Sequence, residues 1–340
     1  MGTNPVRRAQ RAVALALVMV LGASGLGLDA ASDGTGPPPG GALGDGPDDA
    51  SGHGTPPAVN YCADAPVLRL TSPPMAGNDV WELKSRLRQL GFDAGDPGNE
   101  TYDAAAAAAV RRFQQSRGLV PDGVVGPQTW AALAEGAEPA AVQTRTPKPQ
   151  GQLSIVVDSE KLTLTVLVDG KPYKTYPVAV GRPKASTLTP VGEWKIIHKG
   201  VNWGGGFGTR WLGLNVPWGI YGIHGTNKPY SIGTRASAGC IRMFNRDVEE
   251  LYEWVSVGTP VKIIGVKPPL SFGRRLRPGL TGKDVVEVQL KLKELGFDPG
   301  DADGRYGPAT RAAVERLQRT FGLPVDGEVW GDVYYILGLK

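Results

Sequence analysis

The strongest chemical signal in the chain is a histidine and a cysteine that each stand next to a glycine. His224 lies in the segment 223–227 (IHGTN), and Cys240 lies in the segment 237–243 (SAGCIRM). A free thiol has a pKa of about 8.5 and is only slightly ionised at neutral pH, so a nucleophilic cysteine needs a base or a cation nearby. We therefore predict that Cys240 is a nucleophile, that His224 is its base, and that Arg242 is a second group able to activate it.

The residues around Cys240 also suit the stabilisation of an oxyanion. Gly239 permits a tight backbone turn, which lets successive amide groups point toward one spot. We predict an oxyanion hole made of the backbone amides of Ala238, Gly239 and Cys240. A backbone carbonyl such as that of Gly225 can orient the His224 ring and leave its other nitrogen for the thiol.

Only two cysteines, Cys62 and Cys240, and three histidines occur in the chain. An exported protein with two cysteines invites the interpretation that they form one disulfide. We expect no such bond. Cys62 lies at the edge of a flexible segment, and a bridge would tie that segment to the turn of Cys240 and consume the Cys240 thiol. Three histidines without a second nearby cysteine give little support for zinc, which weighs against a zinc peptidase. We predict no metal and no cofactor.

The elements that must position these residues are mostly strands. In the region 152–266, apolar and polar residues alternate up to Asp169-Gly170, and a second alternating run follows, which predicts a hairpin. Further strands are predicted at 153–157, 194–198, 221–224 and 261–264. One helix is predicted around Val248 and Leu251, with Asn245 as its cap and Gly258 at its end.

An internal repeat flanks this β region. The segment 78–93 recurs as 283–298, and the apolar positions of the first copy, Val80, Leu83 and Leu87, lie on one helical face. A second helix follows in each copy. We predict a compact unit of about three short helices on either side of the β region.

The N-terminus has the pattern of an export signal. Arginines precede an apolar stretch, 12–28, that contains no charged residue. We favour cleavage over a retained membrane anchor. The predicted division of the chain is an export segment at 1–30, a disordered Gly/Pro-rich tether at 31–71, a helical module at 72–137, a linker at 138–151, a β domain at 152–266, a linker at 267–276 and a second helical module at 277–340.

The β region, about a third of the chain, resembles the L,D-transpeptidase catalytic domain, often called the YkuD type. Carried over position by position, the resemblance places the nucleophile on Cys240, the base on His224 and the orienting carbonyl on Gly225. It assigns further catalytic positions to Ser237, Gly239 and Arg242, and substrate contacts to Tyr221, Gly222, Thr226 and Asn227. Many members have a second histidine where this chain has Ala238, so any role of that side chain is lost.

The two repeats resemble the peptidoglycan-binding domain that accompanies wall hydrolases and transferases. The segment 303–314 (DGRYGPATRAAV) carries this resemblance in the second copy, and 122–130 (DGVVGPQTW) carries it in the first. The implied partners are peptidoglycan stem peptides and glycan, and membrane contact is expected only through an uncleaved N-terminus. The net charge of +4 gives no indication of nucleic-acid binding, and the Gly-rich stretch 203–208 lacks the Lys and Ser/Thr of a phosphate loop.

Together these resemblances imply an exported cell-wall enzyme that transfers acyl groups through a Cys240 thioester and forms 3-3 cross-links, or links other amines to stem peptides. An L,D-carboxypeptidase that passes the same intermediate to water stays open, because the sequence does not reveal the acceptor pocket. A third alternative is an inert wall-binding protein. The expected fold is a mostly-β domain flanked by two small all-α domains.

Overall fold

The computed structural model describes residues 66–138, 146–202 and 205–340. The predicted export segment, most of the predicted tether and Cys62 lie outside these residues. Within the described residues, no helix combines the length and the apolar character that a membrane crossing needs.

The middle of the chain forms the expected mostly-β domain, which we call the β domain. Its strands are β1 Leu153–Asp158, β2 Thr163–Val168, β3 Lys171–Pro177, β4 Val180–Gly181, β5 Gly192–Val201, β6 Arg210–Leu214, β7 Tyr221–His224, β8 Arg235–Ser237, β9 Ile241–Arg242 and β10 Pro260–Ile264. Eight of them form one sheet in the order β3-β2-β1-β10-β5-β6-β7-β9, and β4 pairs with β8 in a small second sheet.

The predicted hairpin is confirmed and joins β2 to β3. Both turn residues have positive φ, 51° at Asp169 and 77° at Gly170, as the common two-residue hairpin turn requires. The strands β4, β6, β8 and β9 were not predicted. Three of these have two or three residues, too few for alternation to be recognised.

Two parallel pairings place the predicted site. Strand β9 pairs in parallel with β7, so that Ile223 lies opposite Ile241 and His224 lies opposite Arg242. Strand β4 pairs in parallel with β8. The segment 238–240 connects β8 to β9. It therefore lies between the two sheets, at the N-terminal end of β9. Ile223 and Ile241 are fully buried in the core of the domain.

The predicted helix of the β domain is present as α4, Asn245–Trp254, but both predicted end signals were wrong. The N-cap position is Phe244, and no side chain caps the helix. Asn245 is instead the first helical residue, and its side chain bonds the loop after β7. The helix is followed by Val255 in an extended conformation, so it ends before Gly258 is reached.

The repeats form the two expected helical units. The first helical module contains α1 Asn78–Gln89, α2 Ala104–Ser116 and α3 Pro127–Ala134, and the second helical module contains α5 Lys283–Glu294, α6 Pro308–Thr320 and α7 Asp332–Ile336. Equivalent tyrosines make the same bond in both: Tyr102 donates to the Gly123 carbonyl at 2.7 Å, and Tyr306 donates to the Gly327 carbonyl at 2.8 Å. This agreement follows from the sequence repeat.

Both modules pack on the β domain, which the predicted linkers gave no reason to expect. The amide of Asn78 in α1 donates to the Ala236 carbonyl in β8 at 3.0 Å. In the second module, Arg305 donates to the Asn215 carbonyl at 2.8 Å, and Val286 and Ala302 join the apolar core of the β domain. The modules are therefore integrated with the β domain in this structure.

Candidate active site

The turn that carries Cys240 is built by its neighbours. Gly239 has φ +126°, a conformation that side chains rarely tolerate, and a Cβ there would lie 2.8 Å from the Tyr221 ring. The Ser237 hydroxyl donates to the Cys240 carbonyl at 2.6 Å and accepts from the Gly239 amide at 3.1 Å. Ser237 thus closes the turn through its own side chain.

This bonding corrects one part of the predicted oxyanion hole. The Gly239 amide is directed at the Ser237 hydroxyl inside the turn, so it does not point at an incoming substrate. The amides of Ala238 and Cys240 stay predicted donors.

His224 lies at the end of β7 and is 3% exposed. Its Nδ1 lies 2.5 Å from the Gly225 carbonyl oxygen, so the predicted contact between ring and carbonyl is present. A carbonyl can only accept, so this contact places a proton on Nδ1. The ring also makes a backbone hydrogen bond with Phe207. Burial, reinforced by the nearby charge of Arg242, lowers the pKa of His224 from 6.5 to about 3.

Two aromatic side chains enclose the imidazole. The Trp211 indole is stacked at 5.7 Å between ring centroids, and Phe207 meets the ring edge-on at 5.1 Å. Trp211 also fills the space beside Gly222, where a Cβ would lie 2.6 Å from the indole. These contacts explain the loss of water around His224 and hence the direction of its pKa shift.

The loop after β7 is fastened to α4 by Asn245. Its Oδ1 accepts from the amides of Thr209 and Thr226, at 3.2 and 3.1 Å, and its Nδ2 donates to the Thr226 carbonyl at 3.0 Å. Gly225 packs so closely here that a Cβ would lie 2.2 Å from the same Oδ1. The loop that orients His224 is therefore held in one position.

Arg242 lies opposite His224 in the strand register and forms an ion pair with Glu82 of the first helical module. Its Nη1 also lies 3.4 Å from the Ser231 hydroxyl. Burial alone would lower the pKa of Arg242, but the Glu82 carboxylate outweighs that effect and raises it. The guanidinium is therefore a fixed positive charge beside the imidazole.

Cys240 is disulfide-bonded in this structure, which corrects our expectation of a free thiol. The chain has one other cysteine, Cys62, whose position lies outside the described residues. The Cys240 side chain is buried, and its sulfur lies 3.9 Å from the Ile220 carbonyl oxygen. Only a thiolate is nucleophilic, and a sulfur in a disulfide cannot ionise to one. The structure therefore represents an oxidised state in which Cys240 cannot act as a nucleophile.

The predicted substrate contacts differ in how the structure uses them. Tyr221 packs against the Gly239 turn, and Thr226 is buried, with its hydroxyl accepting from the Lys228 amide at 2.9 Å. Both therefore support the site's backbone. Asn227 is half-buried, and its side-chain carbonyl oxygen has no hydrogen-bond partner among the described residues. That oxygen is itself buried, so the structure gives no contact point for a ligand there.

Sequence reasoning missed four residues that the structure brings to this site: Glu82, Lys228, Trp211 and Asn245. Glu82 and Lys228 gave no signal, because a glutamate on a helical module and a lysine in a loop are ordinary surface residues. Trp211 belongs to neither of the motifs around His224 and Cys240, and Asn245 was considered only as a helix cap.

Three parts of the chain match known protein families. Residues 152–263 match the family described as "L,D-transpeptidase catalytic domain", and residues 76–133 and 281–333 match the "Putative peptidoglycan binding domain". The chain is 50% identical over 109 residues to the "Putative L,D-transpeptidase YkuD" of Bacillus subtilis, covering 32% of this chain and 64% of that protein. It is 38% identical over 128 residues to the "Putative L,D-transpeptidase YqjB" of the same organism, covering 33% of this chain and 72% of that protein.

Solved structures of L,D-transpeptidases are also similar to this chain. The crystal structure of the L,D-transpeptidase (residues 123-326) of Xylanimonas cellulosilytica is 27% identical and covers 62% of this chain and 100% of that one, with a TM-score of 0.29. The NMR structure of the catalytic domain of the Enterococcus faecium L,D-transpeptidase is 25% identical and covers 34% of this chain and 98% of that one, with a TM-score of 0.30. Scores this low add no argument to the sequence match.

The β domain is of the class of L,D-transpeptidase catalytic domains, and the two helical modules that flank it are of the class of peptidoglycan-binding domains. The chain belongs to the L,D-transpeptidase family. It spans 64% of the length of the first curated relatives that it matches.

Proposed function

We propose that this protein is an exported cell-wall enzyme that, once Cys240 is reduced, forms 3-3 peptidoglycan cross-links through a thioester on that residue. The observation that carries the proposal is the fixed orientation of His224, whose Nδ1 contacts the Gly225 carbonyl. We assign the role of base to Nε2. The strand register puts this ring one strand away from the turn that carries Cys240. The family match supplies the reaction class.

The first half of the proposed reaction breaks a peptide bond. The reduced Cys240 sulfur attacks the carbonyl of the third residue of a tetrapeptide stem, and His224 takes the thiol proton. The amides of Ala238 and Cys240 face the oxyanion. The imidazolium then protonates the departing amine, D-Ala leaves, and an acyl thioester remains on Cys240.

The second half regenerates the enzyme. An amine from a neighbouring stem attacks the thioester carbonyl, His224 accepts its proton, and the Cys240 thiol is released as the new amide forms. Hydrolysis of the same thioester would make the protein an L,D-carboxypeptidase. None of the contacts described favours water over an amine.

The low pKa of His224 is consistent with an inactive oxidised state. A disulfide sulfur carries no negative charge, so nothing at position 240 offsets the Arg242 cation. Reduction allows a thiolate there, and an anion near the ring favours the imidazolium. We therefore expect the basicity of His224 to increase when the disulfide is opened.

The two helical modules support a wall location. Both match the peptidoglycan-binding family, and we propose that they keep the enzyme on its polymeric substrate. In this reading the partners are stem peptides and glycan, and the protein acts outside the cytoplasm.

Mass spectrometry after incubation with a carbapenem, which acylates the nucleophile of this family, tests the proposal. Wild-type protein treated with a phosphine reductant should gain one carbapenem mass on Cys240, and the Cys240→Ala variant should gain none. Amine transfer to a purified tetrapeptide should disappear in Cys240→Ala and fall by about 10²- to 10⁴-fold in His224→Ala. Absence of an adduct on the reduced, folded wild type would favour the inert wall-binding alternative, and a product trimmed by water alone would favour the carboxypeptidase.

A further inference from the structure

A buried cluster of four charged groups joins the first helical module to the β domain. Glu82 and Asp79 come from α1, and Lys228 and Arg242 come from the β domain. One Glu82 oxygen pairs with the Arg242 guanidinium, and the other lies 2.7 Å from the Lys228 ammonium. The Lys228 ammonium also lies 2.6 Å from an Asp79 oxygen. Two anions thus meet two cations.

The centre of the cluster is shielded from water, whereas the Asp79 side chain at its edge is 27% exposed. The Glu82 side chain is 1% exposed, and that of Lys228 is 2% exposed. Burial opposes the charged form of Glu82, but the cations Arg242 and Lys228 outweigh it and hold the pKa of the carboxyl below its ordinary value. Burial raises the pKa of Asp79 despite the opposing Lys228 charge. Glu82 is therefore the firmly ionised anion of the cluster.

Neighbouring groups complete the surroundings. The Tyr230 ring lies under the Arg86 guanidinium at 4.8 Å, and the Trp130 ring lies 4.6 Å from the Lys228 ammonium. Burial and the nearby Glu82 charge raise the pKa of Tyr230 well above 10, so its phenol stays neutral. Glu82 is the one anion in this cluster whose carboxylate is paired with Arg242.

Arg242 links this cluster to the candidate active site. It lies opposite His224 in the register of β7 and β9, and its charge contributes to the lowered pKa of that histidine. The Glu82 carboxylate accepts hydrogen bonds from both Nη1 and Nη2 of Arg242, with 3.3 Å between Nη2 and the carboxylate oxygen. A carboxylate that anchors this cation also offsets its charge at the imidazole.

The internal repeat shows that the helical fold alone does not require these contacts. The residue equivalent to Glu82 in the second module is Glu287, which pairs with Lys267 at 2.8 Å. The Lys267 side chain is 39% exposed, so this pair lies near the surface. The same repeat position thus serves a surface pair in one module and the cluster beside the site in the other.

We propose that Glu82 is a positioning residue of the active site, and that the first helical module is consequently a structural part of the catalytic unit. Glu82 holds Arg242 in place and balances its charge, so that the Cys240 thiolate and the His224 imidazolium form at the appropriate pH. This inference rests on the proposed function of the β domain.

The test compares Glu82→Gln with Glu287→Gln in the full-length, reduced protein. The glutamine keeps the size of the side chain and removes its charge. For Glu82→Gln we expect kcat for amine transfer to fall by about 10-fold or more, with KM changed less than about 3-fold. The uncompensated cations should also favour the thiolate and move the pH profile of carbapenem acylation about one unit lower. Glu287→Gln should match wild type in both.

Two further variants separate positioning from mere docking of the module. Asp79→Asn removes a partner of Lys228 but leaves the pair between Glu82 and Arg242, so its pH profile should stay at the wild-type position. Glu82→Asp keeps the charge and should restore the wild-type profile at least in part, even if Glu82→Gln is too unstable to purify.

A folded Glu82→Gln protein with wild-type kcat and pH profile would overturn the inference. The inference would also be overturned if Glu82→Asp restored no part of the wild-type pH profile, or if Asp79→Asn shifted that profile as far as Glu82→Gln does. If the reduced wild type itself is not acylated, the proposed function has failed instead, and the two failures are thereby distinguished.

Discussion

Asn245 and Thr226 are joined by a two-way amide contact in which Oδ1 of Asn245 accepts from the Thr226 amide at 3.1 Å and Nδ2 donates to its carbonyl at 3.0 Å. A side-chain amide that satisfies both backbone groups of one residue acts like a neighbouring strand. The contact connects the first turn of α4 to the loop that begins at Gly225, whose carbonyl contacts the His224 ring. The position of the base therefore depends on a residue from a different element.

Replacing Asn245 by Ala should disturb this loop. The variant removes the partner of backbone groups of the buried Thr226 and the half-buried Thr209, at a cost of about 1–3 kcal/mol in the free energy of unfolding. We expect transfer by the reduced enzyme to fall by at least about 10-fold, measured as kcat on a purified tetrapeptide.

Asn215→Ala provides the matched control. Asn215 accepts from the Lys195 amide at 2.8 Å through the same kind of side-chain oxygen, but in the contact between β5 and the end of β6. It should lower stability without lowering kcat. Equal kcat in both variants would show that the Asn245 contact has no role in placing His224.

Gly239 should not tolerate even one methyl group. Gly239 has φ +126°, and an added Cβ would lie 2.8 Å from the Tyr221 ring. The turn that carries Cys240 would therefore have to move. For Gly239→Ala we expect a loss of about 10²-fold or more in carbapenem acylation, and about 2 kcal/mol in unfolding free energy.

Gly233→Ala separates backbone strain from loss of the site. Gly233 also has positive φ, 79°, but nothing lies within 4 Å of an added Cβ. This variant should lose stability and keep its acylation rate. An acylation rate in Gly239→Ala like that of wild type would contradict the assigned role of the turn.

Activity should depend on reduction of Cys240. Because the sulfur is disulfide-bonded in the structure, untreated protein should show almost no carbapenem adduct. Two electrons from a thiol or phosphine reductant should restore the adduct on the same residue. The measurement is the adduct fraction across a series of reductant concentrations.

A variant of the other cysteine extends that experiment. Cys62 is the only other cysteine in the chain, so Cys62→Ser removes the means of forming an internal disulfide. The variant should be acylated without reductant. Full acylation of untreated wild-type protein would show that oxidation does not control the site.

Burial of His224 should make the oxidised protein less stable in mild acid. Its pKa is lowered from 6.5 to about 3, so between these values the unfolded chain binds a proton that the folded protein does not. Folded stability therefore falls as the pH drops below about 6.5. At pH 4.5 this residue alone should reduce the unfolding free energy by ~2 to 3 kcal/mol relative to pH 7.

Urea unfolding of wild type and His224→Gln at the two pH values measures this contribution. The loss of stability between pH 7 and pH 4.5 should be smaller in the variant, because it cannot take up that proton. His198→Gln is the control, since His198 is exposed on β5. An unchanged pH dependence in His224→Gln would show that the ring is not held neutral by the fold.

Much of the architecture could be read from local patterns. The helical face of Val80, Leu83 and Leu87, the Asp169-Gly170 hairpin and the strand ending at His224 are confirmed, because each depends on residues close together in the chain. The repeat predicted two similar helical units, and the matching bonds of Tyr102 and Tyr306 bear this out. The end signals of α4 were misread, because the Asn245 side chain is used in a tertiary contact.

By itself, the sequence determined the family, the fold class and the positions of His224, Gly239 and Cys240 as candidates for chemistry, since residue type and spacing carry that information. Only the tertiary structure decided that Glu82 pairs with Arg242, that the helical modules pack on the β domain, and that Cys240 is oxidised. These features join residues far apart in the chain. The module contacts draw their free energy from burial and from charge pairing across a formed interface, and the disulfide depends on oxidation, so no local pattern of the sequence records either.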